Sequence, residues 1–330
     1  MHWLQDHWYR ITPLHLILIP ISLVFSMLVA FRRVLYRDRV LASDQLLLPV
    51  IVVGNISVGG TGKTPLTLAL AQQLIERGWH PLIVSRGYKG DTQHPQHVAT
   101  GVTAKQAGDE PLLMARRNIC PVWVGKDRVA TARTALQAHP QCDVVLCDDG
   151  LQHYRLQRDV EIAVIDGERG LGNGWMLPAG PLREPVSRLR TVDAVVVNGG
   201  AADTGQYAMR LTGSVFYNLL DPGQTAAAGD FHKSNNHAVA GIGHPQRYFQ
   251  HLQELGIPFI PHPFPDHHPY SATDLAFADC DAILMTEKDA VKCAEFADAR
   301  YWVLRVDAQI DSALTDLILR KIKSHGRQTA

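Results

Sequence analysis

From about residue 50 to 200, short runs of consecutive apolar residues alternate with stretches whose apolar positions recur every three to four residues. The runs "PVIVVGN", "HPLIVSRGY", "PVWVG", "CDVVLCDDG", "VEIAVIDG" and "VDAVVVNGG" are rich in β-branched residues and punctuated by Asp or Gly. Continuous apolar runs of this length predict strands buried on both faces. Between them the periodicity predicts a helix over 62–77, stopped at Gly78 as a C-terminal cap. "DEPLLMARR" predicts another, with Asp109 placed as N-cap and Pro111 in the first turn. A third runs from Asp127 to about Ala138. The order of elements is that of an α/β fold with a parallel sheet covered on both faces.

The stretch 199–233 carries weaker signals, with "MRLTGSVFYNL" reading as a pair of linking strands. The alternation then restarts. "HAVAGIG", a helix over 246–255, "IPFI", a helix from Ala272, "DAILMTEKD", "YWVLRVD" and a final helix from Ser312 predict a second αβα unit. Leu314, Leu317, Ile318 and Ile322 recur on one face of that last helix, as packing requires. The expected organisation is an N-terminal apolar segment with a basic flank over 1–40, a first domain over 41–200, a linker over 201–235 and a smaller αβα domain over 236–330.

Residues 14–31, "LHLILIPISLVFSMLVAF", contain no Asp, Glu, Lys or Arg. As a helix this segment is roughly 27 Å long, close to the hydrocarbon thickness of a bilayer. Arg32, Arg33, Arg37 and Arg39 follow, and the positive-inside bias puts the rest of the chain in the cytoplasm. No small-x-small cleavage site precedes the arginines, which argues against a signal peptide. A spanning helix, weakened by His15, Pro20, Ser22 and Ser26, and a helix lying in the membrane interface fit equally well. Both are favoured over a buried core helix.

Formal net charge is zero, so the chain has no general attraction for nucleic acid, and an anionic partner needs a local site. The five cysteines form no C-x-x-C pair and read as buried thiols of a reducing compartment.

That local site is written in "VGNISVGGTGKTP". Gly59, Gly60 and Gly62 stand between a strand and a helix, where bare amides converge on phosphate oxygens. The expected ATP cradle is Ser57, Val58, Gly59, Gly60, Thr61, Gly62, Lys63 and Thr64, with Lys63 reaching the β- and γ-phosphates and the Thr64 hydroxyl on Mg²⁺. Ser57 stands where the usual G-x-x-x-x-G-K-[ST] pattern has its first glycine, which requires only that this position not need a positive φ. "VVLCDDG" ends a strand in Asp148 and Asp149, the carboxylates a phosphate-loop enzyme aims at its metal. Further polar runs are "SRGY", "AGDEP", "LQHYR", "GNGWMLPAGPLREP", "FPDHH" and "TEKDAVK". Asp109 alone is equally readable as a helix cap or a catalytic group, and the histidines of "PHPFPDHH" match no zinc spacing.

Together these runs, in this order from about residue 50 to 292, resemble the tetraacyldisaccharide 4′-kinase family, the lipid A 4′-kinases of Gram-negative bacteria. The DDG-x-QH and LPAGPLREP runs are not general features of phosphate-loop proteins, and serine at the first loop position is a habit of that family. Leu151 stands where phenylalanine is common. The resemblance implies two αβα domains joined by a short β linker, with a cleft that closes over ATP. It implies transfer of the γ-phosphoryl group to the 4′-hydroxyl of a tetraacyldisaccharide 1-phosphate, giving lipid IVA for lipopolysaccharide. It implies Asp109 as general base and His267 of "FPDHH" as its partner, a carboxylate held ionised beside an imidazolium. Glu110 joins Thr64, Asp148 and Asp149 as a metal residue, and Arg86, Gln152, His153 and Arg183 are substrate contacts. A four-chain lipid acceptor keeps the enzyme, expected to be a monomer, on the cytoplasmic face of the inner membrane.

Two rival readings are a membrane-associated partitioning ATPase and a nucleotide-dependent membrane switch. The first carries a signature lysine before its paired glycines, where this chain has Val58. The second has no use for an Asp–His pair across two domains.

Overall fold

The computed structural model describes residues 7–10 and 12–324; the remainder of the 1–40 segment and the tail beyond 324 lie outside the described residues. A long helix, α1 (His15–Arg37), precedes the first strand, β1 (Val50–Gly54). Then come α2 (Lys63–Glu76), β2 (Pro81–Ser85), β3 (Gln96–His97), α3 (Ala104–Ala107), α4 (Asp109–Arg116), β4 (Val122–Val124) and α5 (Arg128–Ala138). β5 (Val144–Asp148), β6 (Val160–Asp166), β7 (Ala194–Asn198) and β8 (Tyr207–Thr212) follow. The second half holds β9 (Val215–Asn218), β10 (Thr225–Ala227), β11 (Asn236–Ala240), α6 (Pro245–Glu254), β12 (Ile260–Pro263) and β13 (Ala282–Thr286). It ends with α7 (Glu287–Cys293), β14 (Tyr301–Leu304), β15 (Asp307–Ile310) and α8 (Ser312–Ser324).

The strands form two sheets. A nine-stranded sheet runs β15-β8-β7-β6-β1-β5-β2-β4-β3, and a six-stranded sheet runs β10-β9-β14-β13-β11-β12. In the larger sheet β1 lies between β5 and β6, all parallel, so the loops leaving the carboxyl ends of β1, β5 and β6 share one rim. Every residue of β1, β2 and β5 is buried, as their unbroken apolar runs require. The predicted pair of linking strands exists but is divided: β8 pairs with β7 in the larger sheet, and β9 pairs with β14 in the smaller.

The final helix differs from its expected place. β15 pairs with β8, and Leu314, Ile318 and Ile322 of α8 lie in one core cluster with Leu66, Leu70 and Leu74 of α2. The chain therefore crosses between the sheets twice, at 213–214 and 305–306, and ends on the larger one. An apolar stripe announces that a helix packs, but not which sheet receives it. The helix expected from Ala272 is a single 3₁₀ turn, Ala272–Leu275.

α1 is long and apolar enough to cross a membrane, but only 11% of its most apolar window is buried, which excludes a core helix. Its polar residues dock it on the larger unit. Ser22 Oγ donates to the Met176 carbonyl at 2.7 Å, and His15 Nε2 lies 3.0 Å from the Ala179 carbonyl. Phe25 and Val29 pack against the core beneath, while Leu16, Ile17, Met27, Leu28 and Phe31 stay exposed.

Candidate active site

The glycine-rich loop leaves β1 and enters α2 at Lys63, with Gly62 at the helix N-cap in the left-handed region, φ 94°. A Cβ there would stand 2.4 Å from Asn198 Nδ2, which donates to the Thr61 carbonyl at 3.1 Å, so the position admits only glycine. Ser57 has no such demand. It forms an antiparallel bridge with Leu182, the Val58 amide donates to the Pro181 carbonyl at 2.8 Å, and the Arg183 amide donates to the Ile56 carbonyl at 2.6 Å. The "LPAGPLREP" run is the extended partner that makes a serine sufficient.

The turn after β5 packs on the end of β1: a Cβ on Gly54 would lie 2.5 Å from Leu151 Cβ. Asp148 is fully buried; its Oδ1 accepts from Thr67 Oγ1 at 3.1 Å, and its Oδ2 has no hydrogen-bond partner. Burial, with Glu110 and Asp149 nearby, pushes its pKa up to about 7, against the pull of Lys63. Asp149 is only partly buried, and the cations Lys63, Arg183 and Arg128 outweigh that burial and hold its pKa below the usual value. Its Oδ1 lies 3.5 Å from Lys63 Nζ and 3.7 Å from Arg183 Nη1.

α4 starts at Asp109, with Gly108 and not Asp109 in the N-cap position. This frees the carboxylate. Its Oδ1 accepts from the Glu110 amide at 3.1 Å, and its Oδ2 lies 2.7 Å from His267 Nδ1. His267 comes from the smaller unit, on a loop where it adopts φ 62° and its amide donates to the Gly241 carbonyl at 3.1 Å. Tyr88 of "SRGY" meets the imidazole edge-on, ring centres 5.5 Å apart. Burial would raise the Asp109 pKa, but the His267 hydrogen bond and the charge of Lys288 hold it below the ordinary value.

The chain thus brings Lys63, Thr64, Asp148, Asp149, Glu110, Asp109 and His267 to one end of the larger sheet. Arg86 is exposed after β2. Gln152 is committed internally, donating to the Asn55 carbonyl at 2.9 Å and to Glu184 Oε1 at 2.8 Å. His153 is partly buried, and burial with Arg128 and Arg158 depresses its pKa to about 4. Three residues of the region escaped sequence reasoning. Arg169 reaches from Asp166 to the Gly60 carbonyl, and Arg247 of α6 reaches the Asn198 carbonyl at 3.1 Å. Lys288 of α7 touches both halves of the Asp109–His267 region. Isolated surface-type Arg and Lys carry no pattern; only "TEKDAVK" offered a signal, and it did not single out a residue.

Between the units lies a cavity of about 880 Å³, bordered by Gly60–Thr64, Glu110, Gly243–His244, Arg247 and Thr286–Lys288. A Cβ on Gly243 would stand 3.2 Å from the Gly60 amide nitrogen, so the smaller unit closes directly over the loop.

The profile of the family described as Tetraacyldisaccharide-1-P 4'-kinase (LpxK) matches residues 14–323. The chain belongs to that family. The kinase is 49% identical over 320 residues to the Tetraacyldisaccharide 4'-kinase of Methylobacillus flagellatus, covering 97% of this chain and 96% of that one. It is 50% identical over 331 residues to that of an Azoarcus species, covering 98% and 96%. Its fold matches the LpxK of Aquifex aeolicus, solved in complex with ATP, with a TM-score of 0.79 and 29% identity over 94% of this chain and 99% of that one. The chain is therefore a phosphotransferase acting on a tetraacylated disaccharide 1-phosphate, and neither rival ATPase reading is favoured.

Proposed function

We propose that ATP occupies the cavity with its phosphates on the 57–64 loop, and that Asp109 is the general base for the acceptor's 4′-hydroxyl. The observation that carries this reading is the 2.7 Å contact between Asp109 and His267, made between the two units at the edge of the cleft. A carboxylate kept ionised by its partners accepts the hydroxyl proton as that oxygen attacks the γ-phosphorus and the bond from phosphorus to the β,γ-bridging oxygen breaks, releasing ADP. Lys63 offsets the charge on the transferring group. The space where Gly60 would carry a Cβ holds no other group within 4 Å, so this side of the loop is open toward the cavity.

The donors fit a divalent cation. Asp148 Oδ2 is buried without a hydrogen bond, and Glu110 and Asp149 act on the same carboxyl electrostatically. No cluster of three such side chains is already gathered among the described residues, so Thr64 and phosphate oxygens complete the set. A divalent cation held by these residues would supply positive charge to offset that of the nucleotide phosphates.

Arg183 and Arg86 are available to the acceptor's sugars and 1-phosphate, whereas Gln152 and His153 support the turn that presents Asp149. The exposed apolar face of α1 lies in the cytoplasmic leaflet of the inner membrane, with its docked face on the protein and Arg32, Arg33, Arg37 and Arg39 toward anionic lipid. The site is complete within one chain, consistent with a monomer.

Steady-state kinetics of Asp109→Ala and Lys63→Ala test the assignment. Asp109→Ala lowers kcat with little change in KM for ATP, while Lys63→Ala impairs both. Equal, mild effects would remove Asp109 from the chemistry.

A further inference from the structure

Lys288 is the second residue of α7, whose start is fixed by the smaller unit: Thr286 caps the Asp289 amide, and Asp289 accepts from the Gly241 amide at 3.1 Å. The ammonium is thereby held, largely buried, where four acceptors converge. It lies 3.1 Å from Glu110 Oε1, 3.3 Å from Asp266 Oδ1, 3.4 Å from His267 Nε2 and 4.0 Å from Asp109 Oδ2. Two of these groups come from α4 of the larger unit and two from the loop at Asp266.

An ammonium has three donors and no acceptor. Two groups face Nε2, Lys288 Nζ at 3.4 Å and Asp266 Oδ2 at 3.7 Å; the nearer contact is a hydrogen bond only when Nε2 carries a lone pair, which leaves the ring proton on Nδ1, facing Asp109. We propose that Lys288 is a positioning residue of the transfer reaction: it fixes His267 as the neutral Nδ1–H tautomer that orients Asp109, and it clasps Glu110 so that the pair assembles only when the two units meet. The inference rests on the reading of Asp109 as general base. It replaces the imidazolium expected from the sequence with a neutral ring polarised by a neighbouring cation.

The test uses the full chain in detergent with ATP, Mg²⁺ and tetraacyldisaccharide 1-phosphate. Lys288→Met is expected to lose about 100-fold in kcat, with KM for ATP within about 3-fold. Lys288→Arg, which restores a cationic donor, is expected to recover at least about 10-fold of that loss. The near-normal KM shows that the Met variant is folded. Because Lys288 acts through the pair, Asp109→Asn/Lys288→Met is expected to be no slower than Asp109→Asn alone. Ring-nitrogen NMR, with the His267 signal assigned by His267→Gln, is expected to show a protonated Nδ1 and a bare Nε2, and loss of that single tautomer in Lys288→Met. Multiplying losses in the double variant, no rescue by Arg, or an Nε2–H tautomer would each overturn the inference. Full activity in Asp109→Asn would instead overturn the general-base reading itself, whatever Lys288 does.

Discussion

Asp148 sits fully buried at the end of β5 with one oxygen unbonded, and that arrangement has a measurable cost. Its carboxyl titrates near 7 in the folded chain, against an ordinary value of 3.8. A raised folded pKa means that stability is fullest below pH 3.8 and is lost as pH rises toward 7, because the unfolded chain ionises first. At about 1.4 kcal/mol per pH unit, the loss reaches on the order of 4 kcal/mol by pH 8. Asp148→Asn keeps the acceptor for Thr67 and removes the charge. In EDTA and without nucleotide, its melting temperature is expected to match wild type near pH 4.5 and to exceed it by roughly 5–10 °C at pH 8. The same variant is expected to lose most activity, since a buried carboxylate with a free oxygen is what a cation would need. The assay is a thermal melt from pH 4.5 to 8 on both proteins. Parallel melting curves, with no divergence as pH rises, would refute the reasoning.

Three further outcomes follow from contacts elsewhere. Gly54→Ala puts a Cβ 2.5 Å from Leu151 Cβ and 3.0 Å from the Leu151 amide, so it should cost about 1–3 kcal/mol in chemical denaturation and reduce kcat by displacing the turn that carries Asp149. Tyr154→Phe removes the 2.6 Å hydrogen bond to buried Glu184, leaving a buried carboxylate short of a donor; a loss of about 1–3 kcal/mol is expected, and unchanged stability would contradict it. Removing residues 1–31 takes away the exposed apolar residues of α1, which should shift the protein toward the soluble fraction on centrifugation, and unchanged membrane retention would place the anchor elsewhere.

The core strands β1, β5 and β7 were legible because each is an unbroken apolar run closed by Gly, Asp or Asn, whereas β3, β10 and β15 are too short and too polar to stand out. The phosphate loop was legible for the same local reason. The serine in place of its first glycine is explained by a partner 125 residues away, Leu182, which no local rule supplies. Asp109 shows a second limit: at a predicted helix start it reads as a cap, and only the position of Gly108 and the arrival of His267 separate that from a free carboxylate. Lys288 was illegible because a lysine in the first turn of a short helix normally points to water. Its four acceptors come from two segments, one in each unit, which only the folded chain brings together. The apolar stripe of the last helix fits either sheet, and the brief strand Asp307–Ile310 that redirects it to the larger one is too short to stand out in the sequence.

The central claim is that this chain moves the γ-phosphoryl group of ATP onto a lipid disaccharide through a site completed by both units. Incubating the purified protein with γ-labelled ATP, Mg²⁺ and tetraacyldisaccharide 1-phosphate, then locating the label on the lipid, tests it directly. The account predicts a bisphosphorylated product labelled at the 4′ position, lost in Asp109→Ala. ATP hydrolysis that continues without labelled lipid would contradict it.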